Sequence, residues 1–342
     1  GSEMCIRDRA GILDIKTNIL PNADALFLTA IDSYGHELWR WTFPVNKLNQ
    51  QTEQLSPLSS RPAYTETENE LTVKANKCTF IFSKKDGQLK GVSVDNRKIS
   101  FANGPRFIGA RRADRSLDQF YNHDDEKAKE KDRTYSEFPD AAVFTKLDVK
   151  EDGGNLIVTA NYKLGNLDKA QWTINPSGDL ALDYTYNFSG VVDLMGIRFD
   201  YPEDQVISKR WLGAGPYRVW QNRIHGTQYD VWENDYNDPI PGETFTYPEF
   251  KGYFGDVSWM NIQTKEGTIN LTNETPDAYI GVYQPRDGRD RLLYTLPESG
   301  ISVLNVIPPV RNKVNSTDLC GPSSQPKWVN GPQTGRIVFR FE

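Results

Sequence analysis

The feature that most limits how this chain can fold is the short-range spacing of its apolar residues, which alternate with polar ones at period two in many brief segments. Asp179-Leu180-Ala181-Leu182-Asp183-Tyr184-Thr185-Tyr186 shows the pattern. Such a segment buries one face of a strand and leaves the other in water. Strands are expected at Glu70–Lys74, Cys78–Ser83, Leu89–Val94, Lys98–Phe101, Val143–Val149, Leu156–Lys163, Lys169–Ile174, Leu180–Phe188, Gly196–Asp200, Val206–Leu212, Thr268–Asn273, Ala278–Tyr283, Gly300–Val306 and Arg336–Phe341, with Asp86-Gly87 and Asp95-Asn96 as turn signals. No alternation of strand with long helix exists, so neither a (β/α)₈ barrel nor a doubly wound sheet can be drawn. The expected fold class is all-β, with antiparallel strands joined by short turns. The one helical candidate, Leu117–Thr134, is dense in Asp, Glu and Lys and reads as a solvated helix or an insertion.

Four segments are distinguished. Residues 1–9 lack any period; Gly1-Ser2 has the look of a cloning scar and Glu3–Arg9 of translated adapter text, so the segment is set aside as non-native. Residues 10–48 hold three strand-like pieces, Ile12–Thr17, Ala25–Asp32 and Glu37–Pro44, too few to cover their own apolar face, and read as an incomplete immunoglobulin-like sandwich remnant. Residues 49–67, rich in Gln, Ser, Thr, Glu and Pro, read as a linker. Residues 68–342 are read as one large β domain. The 342 residues suffice for one large domain and a smaller piece.

A formal charge of −6 argues against nucleic acid, which requires clustered Lys and Arg. No apolar run reaches the roughly 18 residues that would span a bilayer. A neutral partner fits better, and aromatic residues, 12% of the chain, are suited to cover the C–H face of a sugar, although strands also favour them for packing. Cys5, Cys78 and Cys320 are too scattered for a disulfide framework or a zinc site, and no metal or other cofactor is expected. His123 beside Asp124 and Asp125 is only weak metal-ligand spacing.

Retaining glycoside cleavage needs two carboxyl groups about 5 Å apart. Glu233 and Asp235 are the pair most easily picked out, but their segment, Val231–Tyr236, reads as a polar loop. A proton-shuttling epimerase would need a histidine and a carboxylate, for which His225 and Glu233 are the alternative catalytic candidates, against the plainer reading of His225 as structural. The densest stretch is Arg210–Arg223: a strand ending at Leu212, two glycines, Pro216, then Tyr217-Arg218-Val219-Trp220-Gln221-Asn222-Arg223. It is either a sugar-facing rim or a packed corner. On the first reading Arg218, Trp220, Asn222, Arg223, His225, Trp232 and Tyr253 bind carbohydrate, with Tyr247–Tyr253 on the same rim.

Trp211-Leu212-Gly213-Ala214-Gly215-Pro216, followed by Asn222-Arg223, resembles the C-terminal domain of family 2 β-galactosidases. Lys77–Phe101, then Gly104-Pro105-Arg106-Phe107, is similar to that domain's opening hairpin, and Gly300–Pro309 with Gly321-Pro322 to its ending. The resemblance implies a galactose mutarotase-like supersandwich preceded by an immunoglobulin-like domain, with the catalytic glutamates on an upstream barrel. The expected function is a non-catalytic, carbohydrate-facing domain that packs on or completes the sugar site of that barrel, inactive alone, in a periplasmic or secreted parent. An aldose 1-epimerase and a freestanding carbohydrate-binding module, with Trp220 and Trp232 as stacking platforms, are the alternatives. Some family members lend a tryptophan to the active site from the segment matching Glu298–Pro309; this chain has no aromatic there.

Overall fold

The computed structural model describes residues 12, 23–45, 60–112, 135–235, 252–282, 297, 299–309 and 321–342. The expected helix at Leu117–Thr134, nearly all of the strand at Ile12–Thr17, His123, and Tyr247–Lys251 lie outside these. The chain divides into two compact units, Gly1–Gln51 and Thr52–Glu342. In the first, β1 (Ala25–Ile31) and β2 (Glu37–Pro44) pair antiparallel, with Leu26 opposite Phe43, Leu28 opposite Trp41 and Ala30 opposite Trp39. Asp32 closes the turn by accepting the backbone N–H of Tyr34 and of His36, each at 2.8 Å.

The second unit is built of β3 (Ala63–Glu66), β4 (Glu70–Ala75), β5 (Cys78–Ser83), β6 (Leu89–Val94), β7 (Arg97–Ile99), β8 (Ala102–Arg112), β9 (Tyr135–Glu137), β10 (Val143–Asp152), β11 (Asn155–Lys163), β12 (Leu167–Ile174), β13 (Leu180–Val192), β14 (Leu194–Asp200), β15 (Val206–Gly215), β16 (Gln228–Asp235), β17 (Trp259–Thr264), β18 (Gly267–Asn273), β19 (Tyr279–Val282), β20 (Ile301–Val306) and β21 (Lys327–Phe341). They form two antiparallel sheets. One has nine strands in the order β10-β11-β12-β13-β21-β18-β17-β15-β16; the other has ten, β19-β20-β14-β8-β6-β5-β4-β3 with β7 on β6 and β9 on β8. No described helix is long and apolar enough to cross a membrane.

Period-two segments pack the two sheets face to face. Leu180, Leu182, Tyr184 and Tyr186 of β13 turn into the same core as Phe80, Phe82, Ile197 and Phe199 of the opposite sheet. At its centre the Phe101 ring lies 4.6 Å from that of Phe199, 4.9 Å from Phe339 and 5.4 Å from Phe341. Full burial of one such side chain is worth about 1.5–3 kcal/mol.

Four expectations need correction. The stretch read as linker contains β3, because Ala63–Glu66 completes the edge of β4. Val231–Asp235 belongs to the edge strand β16, not a polar loop, since β15 supplies its partners from Ser208 to Leu212. For the same reason β15 does not end at Leu212 but runs on through Gly215. β21 begins at Lys327, well before Arg336: Pro332 stands where β13 is its one described neighbour, and a missing N–H is tolerated at such an edge.

Candidate functional site

The residues singled out around Gly215 fall into a buried group and an exposed one. Beyond Gly215 the chain crosses onto the outer face of the ten-stranded sheet, where Val219 and Tyr253 exchange backbone hydrogen bonds of 2.7 and 2.8 Å. Trp220 and Tyr253 meet edge to face at 5.6 Å and pack on Ile108, Ala110, Leu194, Leu304 and Ile307. Their exposures are 1% and 2%, so neither ring has a face to offer a sugar. Both are read from the sequence as carbohydrate-binding, Trp220 as a stacking platform; the apolar half of the sheet's outer face buries them instead. Arg218 is buried with its guanidinium 5.8 Å from the centre of the Phe254 ring.

Trp232 is half-buried. Its indole lies against Gly215, and Nε1 donates to Gly213 O at 3.2 Å and Gln228 O at 3.1 Å. A Cβ on Gly215 would stand 2.4 Å from this ring, and Trp211 Nε1 closes the same corner by donating to Ala214 O at 3.0 Å. The Trp211–Pro216 segment is therefore a packed corner. Asn222 donates to Ser324 Oγ at 3.3 Å, while Arg223 and His225 are exposed on the loop and Glu233 is exposed on β16 opposite Arg210. His225 and Glu233 share no described cavity.

What the structure assembles is a cleft on the polar half of the same outer face. Along β14, Leu194 belongs to the apolar cluster, whereas Arg198 and Asp200 turn toward the open end; along β8, Arg106 lies two residues before Ile108 and stands opposite Arg198. The cleft holds about 430 Å³ and is lined by Lys90, Lys98, Asn103, Arg198, Asp200 and Tyr201, among others. Arg106 ion-pairs with Asp200 through Nη2. Asn103 Nδ2 donates to Asp200 Oδ2 at 2.8 Å, and Lys90 Nζ donates to Asn103 Oδ1 at 3.3 Å while pairing with Asp86 at 2.7 Å. The result is a continuous relay of donors and acceptors with one lining carboxylate.

Two further contacts brace it. Glu266 accepts from Ser100 N at 2.8 Å, Ser100 Oγ at 2.6 Å and Tyr201 OH at 3.3 Å, tying the β17–β18 turn to the cleft wall. Gly300, at φ +51°, bridges Phe199, and a Cβ there would lie 2.1 Å from Phe199 O. Burial, and then the like charge of Arg106, lower the Arg198 pKa. Burial opposes ionisation of Asp86, but the Lys90 hydrogen bond and two others outweigh it, so this carboxyl titrates below its ordinary range. Burial raises the Tyr201 phenol. Among the described residues no group of three or more His, Cys, Asp or Glu could hold a metal ion.

Arg198, Asp200, Asn103, Lys90 and Tyr201 were not among the candidate residues. A signal for two of them exists: in Gly196-Ile197-Arg198-Phe199-Asp200 the apolar residues alternate with a cation and an anion, which places both charges on one side of a strand.

Fold and cleft together define a broad antiparallel β-sandwich with a polar cleft on the outer face of one sheet. More particularly, the chain belongs to the beta galactosidase small chain family, which matches residues 74–313, well over half of the 342. No curated protein matches the sequence. Among solved structures it is similar to a galactose 1-epimerase from Lactobacillus acidophilus NCFM (8% identity, 83% of this chain and 99% of that one, TM-score 0.45). It is also similar to a GalM/aldose epimerase homologue from C. elegans (8% identity, 82% and 99%, TM-score 0.39). A third is a copper-containing benzylamine oxidase from Hansenula polymorpha (7% identity, 92% and 68%, TM-score 0.33).

Proposed function

We propose that this chain is the C-terminal, carbohydrate-facing, non-catalytic domain of a family 2 β-galactosidase-like glycoside hydrolase, and that it packs on or completes the sugar site of an upstream catalytic barrel of the same parent protein. The observation that carries this reading is the composition of the cleft. Its guanidinium, ammonium and amide donors surround a single lining carboxylate, Asp200, already held by Arg106 and Asn103. Such a set hydrogen-bonds the hydroxyls of a sugar but lacks the second carboxyl that bond cleavage needs. The family match at residues 74–313 supports the β-galactosidase context.

The epimerase alternative draws less support. Its candidates, His225 and Glu233, are exposed on a loop and an edge strand, and no histidine lines the cleft. The test is incubation of the chain with nitrophenyl β-galactoside and, separately, polarimetry of fresh α-galactose. The reading predicts no release of nitrophenol and no acceleration of mutarotation. Turnover abolished by replacing one of this chain's own acids would overturn it.

A further inference from the structure

The ladder between β13 and β21 outruns its neighbours. β12 pairs with β13 only as far as Tyr186, and β18 with β21 only from Ile337 onward, whereas β13 and β21 remain paired from Asn187 opposite Pro332 to Val192 opposite Lys327. These residues form a two-stranded ribbon with no third described strand. Its underside is anchored: Phe188 and Val192 are buried, and the Phe188 ring lies 5.1 Å from that of Phe138 and 6.0 Å from that of Phe107.

Its outer face is of a different kind. Directly paired residues share a face, as do residues two apart along a strand. Trp328, Asn330 and Pro332 therefore stand beside Val191, Ser189 and Asn187. Trp328 is 72% exposed, an unusual state for an indole held on a ladder whose reverse is packed into a core. Asn187, Ser189, Asn330 and Pro332 are exposed as well, and Ser189 Oγ donates to Asn330 Oδ1 at 2.8 Å. None of the six side chains carries a charge.

We infer that this ribbon face is a second carbohydrate-binding site, taking a neutral glycan whose ring lies on the Trp328 indole while its hydroxyls meet Asn330 and Ser189. An aromatic plane covers the C–H face of a sugar, and amide and hydroxyl groups a few ångströms away satisfy its oxygens. A face without charge favours an uncharged ligand over a sulfated or uronate one. A protein partner fits less well, because protein hot spots sit in apolar surroundings that exclude water, and here the indole's same-face neighbours are mostly small and polar. The inference is independent of the cleft.

The test uses the full chain and two probes, β-1,4-galactotriose and cellotriose. The readout is the Trp328 indole N–H resonance, assigned by its loss in Trp328→Phe, with affinities from calorimetry. At least one trisaccharide should shift that resonance, with a dissociation constant on the order of millimolar. Trp328→Ala should weaken binding at least tenfold and Asn330→Ala several-fold. Lys327→Ala, on the opposite face, should leave it unchanged, and circular dichroism should show all variants folded. An unmoved resonance with both probes, or equal affinity in Trp328→Ala, would overturn the inference. So would self-association of the wild type that Trp328→Ala abolishes, since the indole would then be a protein contact.

Discussion

Replacing Gly215 by Ala tests whether the Trp211–Pro216 turn is a packed corner. The three atoms nearest the new Cβ, at 2.4–2.6 Å, all belong to the Trp232 ring, so the indole must swing away. That movement breaks the bifurcated bond from Nε1 to Gly213 O and Gln228 O. Overpacking of this kind costs about 1–3 kcal/mol, and a lost hydrogen bond about 1 more. The expected destabilisation is therefore about 2–4 kcal/mol, read by urea unfolding followed by circular dichroism. With Trp232→Ala already in place the clash partner is gone, and Gly215→Ala should cost less than about 0.5 kcal/mol, or even stabilise by restricting the unfolded chain. The double-mutant cycle should thus return a coupling of about 2–4 kcal/mol. Equal costs of Gly215→Ala in the two backgrounds would refute the reasoning, since the glycine would then serve something other than the indole.

Gly300→Ala should lower stability by about 3 kcal/mol or more, because the Cβ meets the backbone at Phe199 O and Tyr201 N and the φ of +51° is itself unfavourable; calorimetry should show the melting point down by several degrees. Glu266→Ala removes the acceptor for Ser100 and Tyr201 and should cost about 2–4 kcal/mol in urea unfolding, with Glu266→Gln recovering part of it. Burial lifts the Cys78 thiol from 9.0 to about 11. Because the folded-state value is the higher, this group's contribution is whole below pH 9.0 and is lost as pH rises toward 11, so the melting point should fall over that window and fall less in Cys78→Ala.

Most of the sandwich was legible because alternation is a local signal that the pleat preserves: Leu180–Tyr186 enters the core on the expected side. Strands set by their partners were not legible. Val231–Asp235 carries Glu233 and Asp235 and lacks an apolar rhythm, yet becomes β16 because β15 offers it a sheet edge. The site was harder still. Trp220 and Tyr253 have the chemistry of sugar platforms, and only tertiary packing decides that the outer sheet face buries them. The cleft joins residues as distant in sequence as Lys90, Asn103 and Asp200, and no motif announces a contact across some hundred residues. Gly104-Pro105-Arg106-Phe107 was noticed for its resemblance, but the partner of Arg106 on β14 depends on strand order.

The central claim is that the Arg198–Asp200 cleft contacts sugar without cleaving it. The most direct measurement is a calorimetric titration of galactose into the chain carrying Trp328→Ala, which silences the ribbon, with and without Arg198→Ala. Heat of binding is expected in the first protein, at least a tenfold weaker affinity in the second, and unchanged circular dichroism in both. Undiminished binding after Arg198→Ala, or no binding before it, would show that the cleft is not a sugar site.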